Sequence, residues 1–142
     1  MAIRKTRKRM AKKAKTHAKL KKELDKVFSQ YIRWAYADDS GMVECYTCGV
    51  VKHVKEMQNG HMQSRKHTST RWHEHNCRPQ CVKCNIYSEG EKIRFYRRLC
   101  SEIGEQEAEE IIQLSHKSVK YSKSDLEYLI EIYKQKVKDL CG

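Results

Sequence analysis

The sequence predicts a small α+β domain with a metal-stapled core and flanking α-helices. Apolar residues recur at helical spacing towards both ends of the chain, whereas the middle shows short alternations around two Cys-x-x-Cys pairs. Hydrophobic residues make up 39% of the 142 residues and charged residues 34%, so the apolar core must be small. Small cores often need a metal or a disulfide for stability.

The N-terminal segment is strongly basic. Residues 1–22 carry eleven Lys/Arg and no acid, out of a net charge of +12. We predict a basic arm over residues 1–19 whose partner is a polyanion, because Lys/Arg contacts to phosphates release counterions. The alternative is a solvated tail that only raises solubility. On the polyanion hypothesis, the contacting residues of the arm are Arg4, Lys5, Arg7, Lys8 and Arg9.

A domain over residues 20–142 follows, and its first element is an amphipathic helix over about residues 17–37. The apolar stripe of this helix comprises Leu20, Leu24, Val27, Phe28, Tyr31, Ile32 and Ala35. Residues 42–60 then alternate in a way that suits small strands. From 61 to 80 the periodicity disappears, which predicts a long ordered loop with a functional role. A short helix should begin near Cys81, and the metal-binding core should span residues 42–90.

The C-terminal part is predicted to form three helices, at 91–103, 105–115 and 124–140. Gly104 is a plausible cap between the first two, and Ser124 with Glu127 has the spacing of a capping box. Leu126, Ile130 and Tyr133 belong to the apolar stripe of the last helix. These stripes indicate core or partner-helix surfaces.

The cysteines predict a zinc site. No apolar run approaches the ~18 residues of a membrane span, and the basic N-terminus lacks the apolar stretch of a signal peptide. We therefore expect a cytoplasmic protein with no membrane partner, in which thiolates bind metal rather than form disulfides. Two Cys-x-x-Cys turns close a tetrahedral structural Zn²⁺ site, with the ligands Cys45, Cys48, Cys81 and Cys84. A redox pair, or Cys77 in place of one ligand, is the alternative.

His61 and Asn76 lie between the two cysteine pairs, and Asn85 directly follows the second pair, in the order His, Asn, Asn. This is the order of the HNH, or ββα-metal, nuclease site. The combination of Cys-x-x-Cys, Gly60-His61, Arg71-Trp72, Asn76 and QCVKCN resembles the NinG/Rap family of phage recombination endonucleases. The similarity extends over about residues 20–140. The four cysteines followed by an asparagine also resemble phage recombination endonuclease VII in layout.

The resemblance implies a metal-dependent DNA endonuclease acting on branched recombination intermediates in the host cytoplasm. A neutral histidine can take a proton from water, so His61 is the expected general base. Asn76 is expected to brace the loop that carries His61, and Asn85 to offer a carbonyl oxygen to a catalytic Mg²⁺ or Mn²⁺. A structural histidine and an N-capping asparagine are the simpler readings of His61 and Asn85.

The expected catalytic metal site has one gap. HNH-type sites usually carry Asp or His before the catalytic histidine, and here that residue is Gly60. Asn59, His73 and Glu74 are the candidate substitutes, and a softer ion such as Mn²⁺ could serve better than Mg²⁺. A non-catalytic zinc module that binds structured nucleic acid is therefore the competing hypothesis, and an HNH nuclease that cuts ordinary duplex DNA is the third.

A second basic region and possible protein partners complete the expectations. Residues 52–98 hold eleven basic and four acidic side chains, and two basic regions suit an extended polyanion such as DNA. The expected DNA contacts in this region are Arg65, Lys66, Arg71 and Arg78. Paired nicking of a Holliday junction needs two active sites, which favours a homodimer built through the stripes of helices 17–37 and 124–140. Phage recombination proteins are possible further partners.

Overall fold

A computed structural model describes residues 14–141. The first helix, α1, spans His17–Ala35, and the Thr16 side chain caps it by accepting a hydrogen bond from the Lys19 amide. The last helix, α5, spans Lys123–Cys141. The two predicted stripes meet: Leu24, Phe28 and Ile32 of α1 form one buried cluster with Leu126 and Ile130 of α5.

This pairing of α1 with α5 corrects the predicted dimer interface. The centres of both stripes are buried within one chain, because Phe28 and Ile32 are 1% exposed and Leu126 is fully buried. The apolar stripes are therefore not available for a second copy of the chain.

Among residues 14–141, no helix has the length and apolar run needed to cross a membrane.

Two antiparallel hairpins fill the middle of the chain. Strands β1 (Met42–Glu44) and β2 (Val51–His53) pair with each other, as do β3 (Met57–His61) and β4 (Cys77–Cys81). In the second hairpin Met57 lies opposite Cys81 and His61 lies opposite Cys77. The small strands predicted for 42–60 are confirmed, and so is the α+β class.

The prediction of one long loop over 61–80 is wrong in its second half. A short helix, α2 (Thr68–Arg71), and a single 3₁₀ turn lead directly into β4. All five residues of β4 are buried, so this strand shows no alternation of polar and apolar residues. The short helix expected near Cys81 is present as a π-helix over Lys83–Tyr87.

Helices α3 (Lys92–Ile103) and α4 (Glu105–Ser115) follow, and both match the prediction to within one residue. They meet at Gly104, whose φ of +96° lies in the region that favours glycine. Their buried residues Phe95, Leu99 and Ile111 form a cluster with Met62, the residue after His61. The chain thus has several small apolar clusters, and the β3–β4 hairpin lies among them.

Candidate functional site

Four cysteine sulfurs converge between the two hairpins. The Sγ atoms of Cys45, Cys48, Cys81 and Cys84 all lie within 4.8 Å of one another, and the pair Cys48–Cys81 is 3.7 Å apart. A tetrahedron with Zn–S bonds of about 2.3 Å has edges of roughly 3.8 Å. The donor set and the spacing therefore fit zinc, as the sequence predicts.

The cysteine thiols differ in pKa, and so in how readily they form the thiolate that binds a metal. Burial acts to raise the pKa of Cys45, but backbone N–H groups of Cys81 and Cys48 donate to its sulfur and lower the pKa to about 6. Burial and the neighbouring thiols raise the pKa of Cys84 to about 12. A bound cation would offset the raised pKa of Cys84, because it favours the thiolate form of all four cysteines at once.

Cys77 lies apart from these four sulfurs. It is fully buried in the α1–α5 cluster, and burial raises the pKa of its thiol. The alternative in which Cys77 replaces a zinc ligand therefore has no geometric support.

His61 stands at the end of β3 and holds a defined tautomer. Its Nε2 lies 2.9 Å from the carbonyl oxygen of Arg71. A carbonyl oxygen only accepts hydrogen bonds, so Nε2 carries the proton and Nδ1 is left as the acceptor. Burial lowers the pKa of His61 to about 4, which keeps the imidazole neutral near pH 7.

The carbonyl group that orients His61 belongs to Arg71, whose side chain is held in place by α1. Arg71 donates from Nε and Nη2 to the two carboxylate oxygens of Asp25 on α1, and Trp72 Nε1 donates to the same carboxylate at 2.9 Å. Side-chain exposure is 20% for Arg71 and 19% for Asp25. This bidentate ion pair is mostly shielded from solvent, and it fixes the start of the 71–76 segment against α1.

Asn76 occupies the bracing position that the sequence suggests. Its side chain is fully buried; Oδ1 accepts from the Gln63 amide at 2.8 Å, and Nδ2 donates to the carbonyl oxygens of Gln63 and Thr70. One amide group therefore ties together the residues just after His61 and just before Arg71.

A cleft of about 300 Å³ opens beside His61. Asp25, Ser29, Gln58, Asn59, His61 and Arg65 line it. Asn59 Oδ1 is buried without a hydrogen-bond partner among the described residues, so it is an acceptor available to a cation or a water molecule. Asn85, the third residue of the π-helix, donates from Nδ2 to Gln58 Oε1 at 2.8 Å and so reaches this cleft through Gln58.

Two candidate metal ligands lie elsewhere, which corrects the prediction for His73. His73 and Glu74 line a different cleft, of about 650 Å³, together with His75, Arg78 and Glu102. The His73 Nδ1 atom accepts from the His75 amide. Glu74 binds Tyr133 and Lys136 of α5.

The predicted DNA contacts divide into three groups. Arg65 and Lys66 are exposed and can reach a ligand. The prediction is wrong for Arg78, which is 2% exposed and pairs with Glu102 at 2.9 Å, and Arg71 is already paired with Asp25. The arm residues Arg4, Lys5, Arg7, Lys8 and Arg9 lie outside the described residues.

Sequence reasoning missed Asp25 and Gln58. Asp25 stands two helical turns before buried Ile32, at the edge of the apolar stripe, and that position is the only local signal that its carboxylate faces inward. Gln58 has no signal in the sequence, since its partner Asn85 is 27 residues away.

Comparison with known proteins gives the family. The family model described as Bacteriophage Lambda NinG protein matches residues 2–141. "Protein ninG" of Escherichia phage lambda is 28% identical over 96 residues, which are 68% of this chain and 47% of that protein. The chain thus spans about half the length of the curated relative it matches. No solved structure matches it. Since the family model covers nearly every residue, the chain belongs to the NinG family.

Proposed function

We propose that this protein is a metal-dependent DNA endonuclease that acts on branched recombination intermediates. The observation that carries the proposal is the state of His61: a neutral imidazole, with Nε2–H held by the Arg71 carbonyl and Nδ1 left as proton acceptor beside an open cleft. The branched substrate class comes from the family resemblance, whereas the chemistry comes from the residues.

The proposed reaction is hydrolysis of a phosphodiester bond. Nδ1 of His61 takes a proton from a water molecule as the water oxygen attacks phosphorus. The bond from phosphorus to the 3′ oxygen breaks, and the leaving oxygen takes a proton from solvent. Arg65 lines the cleft with a side chain that is 63% exposed, and in this proposal it would contact the phosphate.

The cysteine-bound zinc is structural in this proposal, and a separate Mg²⁺ or Mn²⁺ would offset negative charge on the phosphate and the leaving oxygen. Asn59 lines the cleft and would supply an oxygen donor to this cation, whereas Asn85 contacts the cleft through Gln58. The carboxylate of Asp25 is occupied by Arg71 and Trp72. The substrate phosphate must therefore supply the charge that binds the cation, so we expect weak binding of Mg²⁺ or Mn²⁺ to the free protein.

The order of elements is compatible with a ββα-metal core. β3 carries His61, β4 returns antiparallel to it, and the π-helix carries Asn85. This order supports the proposal, although the third element is one turn of π-helix rather than a longer α-helix.

The test is cleavage of a synthetic four-way junction by the full chain with Mg²⁺ or Mn²⁺. Wild type should nick the junction, and His61→Ala should bind it without nicking. His75→Ala is the matched control, because His75 is exposed and lies in the other cleft, and it should nick normally. Linear duplex of the same sequence, tested in parallel, separates a junction enzyme from a nuclease for ordinary duplex.

A non-catalytic zinc module that binds structured nucleic acid is the second candidate. The observation that favours it is the lack of a free carboxylate in the cleft, where Gly60 precedes His61 and Asp25 is already paired. Wild-type protein that binds the junction tightly but never nicks it, with either cation, would establish this alternative.

A homodimer is part of the endonuclease proposal, because a junction of near two-fold symmetry needs two paired cuts. Its interface must differ from the α1 and α5 stripes, which are buried against each other. Sedimentation is the measurement, and a monomer both free and on junction DNA would refute the dimer. A phage recombination protein remains a possible further partner.

A further inference from the structure

A groove of about 580 Å³, separate from the His61 cleft, begins at the residue after His61. Its apolar lining includes Ile93, Tyr96 and Ile112, and its charged lining consists of Lys66, Lys92 and Arg97, with no Asp or Glu. We call it the cationic groove. Ile93 is 69% exposed, so an uncovered apolar side chain lies among positive charges.

The positive charges of this groove are not paired with carboxylates in the part of the chain that the structure describes, although Lys92 also donates a hydrogen bond to the His61 carbonyl oxygen. Within residues 14–141, no carboxylate lies within salt-bridge distance of Lys66, Lys92 or Arg97. The acid Glu109 accepts a hydrogen bond from Tyr96, but it is outside the lining. Three cations around an apolar floor complement a ligand that is both anionic and apolar.

We propose that the cationic groove binds an unpaired DNA strand next to a branch point, an inference that rests on the proposed nuclease function. Phosphates would contact Lys66 and Arg97, and bases would lie over Ile93 and Tyr96. An unpaired strand can expose the faces of its bases to such a floor. A duplex keeps its bases stacked inside, so it offers no base face to this apolar surface.

The groove is linked directly to His61. Lys92 Nζ donates a hydrogen bond to the His61 carbonyl oxygen, and Gln63 is held by Asn76 on one side and Ser115 on the other. The same braces that fix His61 thus fix the wall of the groove. A strand lying in the groove would place a phosphate near the junction between paired and unpaired DNA at the His61 cleft.

The experiment measures binding rather than cleavage. The full zinc-loaded chain is titrated into a fluorescent 12-nucleotide oligothymidine and, separately, into a 12-base-pair duplex, without added Mg²⁺ or Mn²⁺. Lys66→Glu combined with Arg97→Glu should weaken oligothymidine binding by about tenfold or more, and duplex binding much less. The matched control is Lys120→Glu combined with Lys138→Glu, two exposed lysines outside the groove, which should affect both ligands equally.

A second variant tests the apolar floor. Ile93→Ser removes an exposed side chain and no charge, so it should weaken oligothymidine binding several-fold and leave the salt dependence unchanged. Equal losses for oligothymidine and duplex in the charge variant would overturn the proposal. So would an unaltered affinity in both variants, or competition by polyglutamate as strong as that by oligothymidine, which would indicate an acidic polypeptide as the occupant.

The outcome is independent of catalysis. Loss of single-strand binding in the groove variants, with a wild type that never nicks, would support the groove and reject the nuclease. Normal nicking of a junction by groove variants that also bind oligothymidine normally would reject the groove alone.

Discussion

The carbonyl oxygen of Arg71 decides which nitrogen of His61 can take a proton. It holds Nε2–H, and burial lowers the imidazole pKa from about 6.5 to about 4. A group whose folded-state pKa lies below its unfolded value binds its proton first in the unfolded chain. The fold must therefore lose stability as the pH falls from about 6.5 towards 4.

The prediction for His61 is that its contribution lowers the free energy of unfolding by up to about 3 kcal/mol across that pH range. Urea unfolding at pH 7 and pH 5 should show a smaller pH dependence for His61→Asn than for wild type. Nitrogen NMR should show the Nε2–H tautomer at pH 7 and no titration near 6.5. An Nδ1–H tautomer would contradict the assignment of the proton acceptor.

Asp25 lines the His61 cleft and holds Arg71 and Trp72 in place, so its loss should destabilise the site. Asp25→Asn removes the charge that pairs with Arg71 and leaves a half-buried guanidinium without its partner. Breaking a buried pair costs about 3–5 kcal/mol, and the partial exposure reduces this to about 2–4. The measurement is the free energy of unfolding in urea.

The matched control for Asp25 is Glu23→Gln on the same helix. Glu23 pairs with Lys15 and Lys134, whose side chains are about half exposed, so its loss should cost about 0–1 kcal/mol. Equal losses for the two variants would mean that the Asp25–Arg71 pair is no more than a surface ion pair.

The contribution of Asp25 also marks a limit of sequence reasoning at this scale. The four cysteines and His61 lie in short motifs whose residue types and spacing indicate a chemical role. Asp25 and Arg71 are 46 residues apart, and no periodicity connects an acid on one helix to an arginine at the end of another. The side chains that orient the candidate site become visible only after the chain has folded.

At the scale of elements, the β3–β4 hairpin needs a glycine at position 60 because of side-chain packing and not because of its backbone conformation. A Cβ atom added at Gly60 would lie 2.0 Å from Gln80 Oε1. Gln80 cannot easily move, because its Nε2 donates to Thr47 and to the Gly90 carbonyl. The residue before His61 is therefore kept small by packing, which gives a structural reason for the missing carboxylate at this position.

Gly60→Ala should accordingly lower the free energy of unfolding by about 1–3 kcal/mol through overpacking. In a Gln80→Ala background the clash is absent, so adding Gly60→Ala should cost less than about 0.5 kcal/mol. Urea unfolding of the two single variants and the double variant measures the coupling. Additive losses would show that Gly60 is constrained by something other than Gln80.

The elements differ in how far the sequence predicts them. The four long helices were predictable to within two residues at each end because one buried face per helix leaves a regular apolar spacing, as Leu24, Phe28 and Ile32 show. The four-residue helix α2 is too short to leave such a pattern. Strand β4 was not, because Cys77–Cys81 is buried throughout. It contains Arg78, which donates to Glu102, and Gln80, which donates to Thr47 and to the Gly90 carbonyl. Periodicity cannot reveal a strand that is covered on both faces.

At the scale of the whole molecule, the apolar core is divided, and one part of it includes three of the four candidate zinc ligands. Cys45, Cys81 and Cys84 form a buried cluster with Val43 and Met57. These residues come from both hairpins and from the π-helix that carries Asn85. The cluster contains few large apolar side chains, so the four sulfurs must be held together by something other than apolar burial.

Zinc removal should therefore unfold the centre of the molecule. Structural zinc contributes roughly 10–16 kcal/mol, which is comparable to the total stability of about 5–15 kcal/mol of an ordinary domain. We expect one zinc per chain by elemental analysis, and loss of dispersed amide NMR signals for residues 42–90 after chelation or in Cys84→Ser. The α1–α5 pair buries its own cluster and should keep more of its helical signal.

Cys100→Ser, at a half-buried cysteine outside the four-sulfur cluster, should retain the zinc. A Cys84→Ser variant that keeps one zinc per chain, or a chelated protein with an unchanged spectrum, would show that the four sulfurs do not hold the hairpins together.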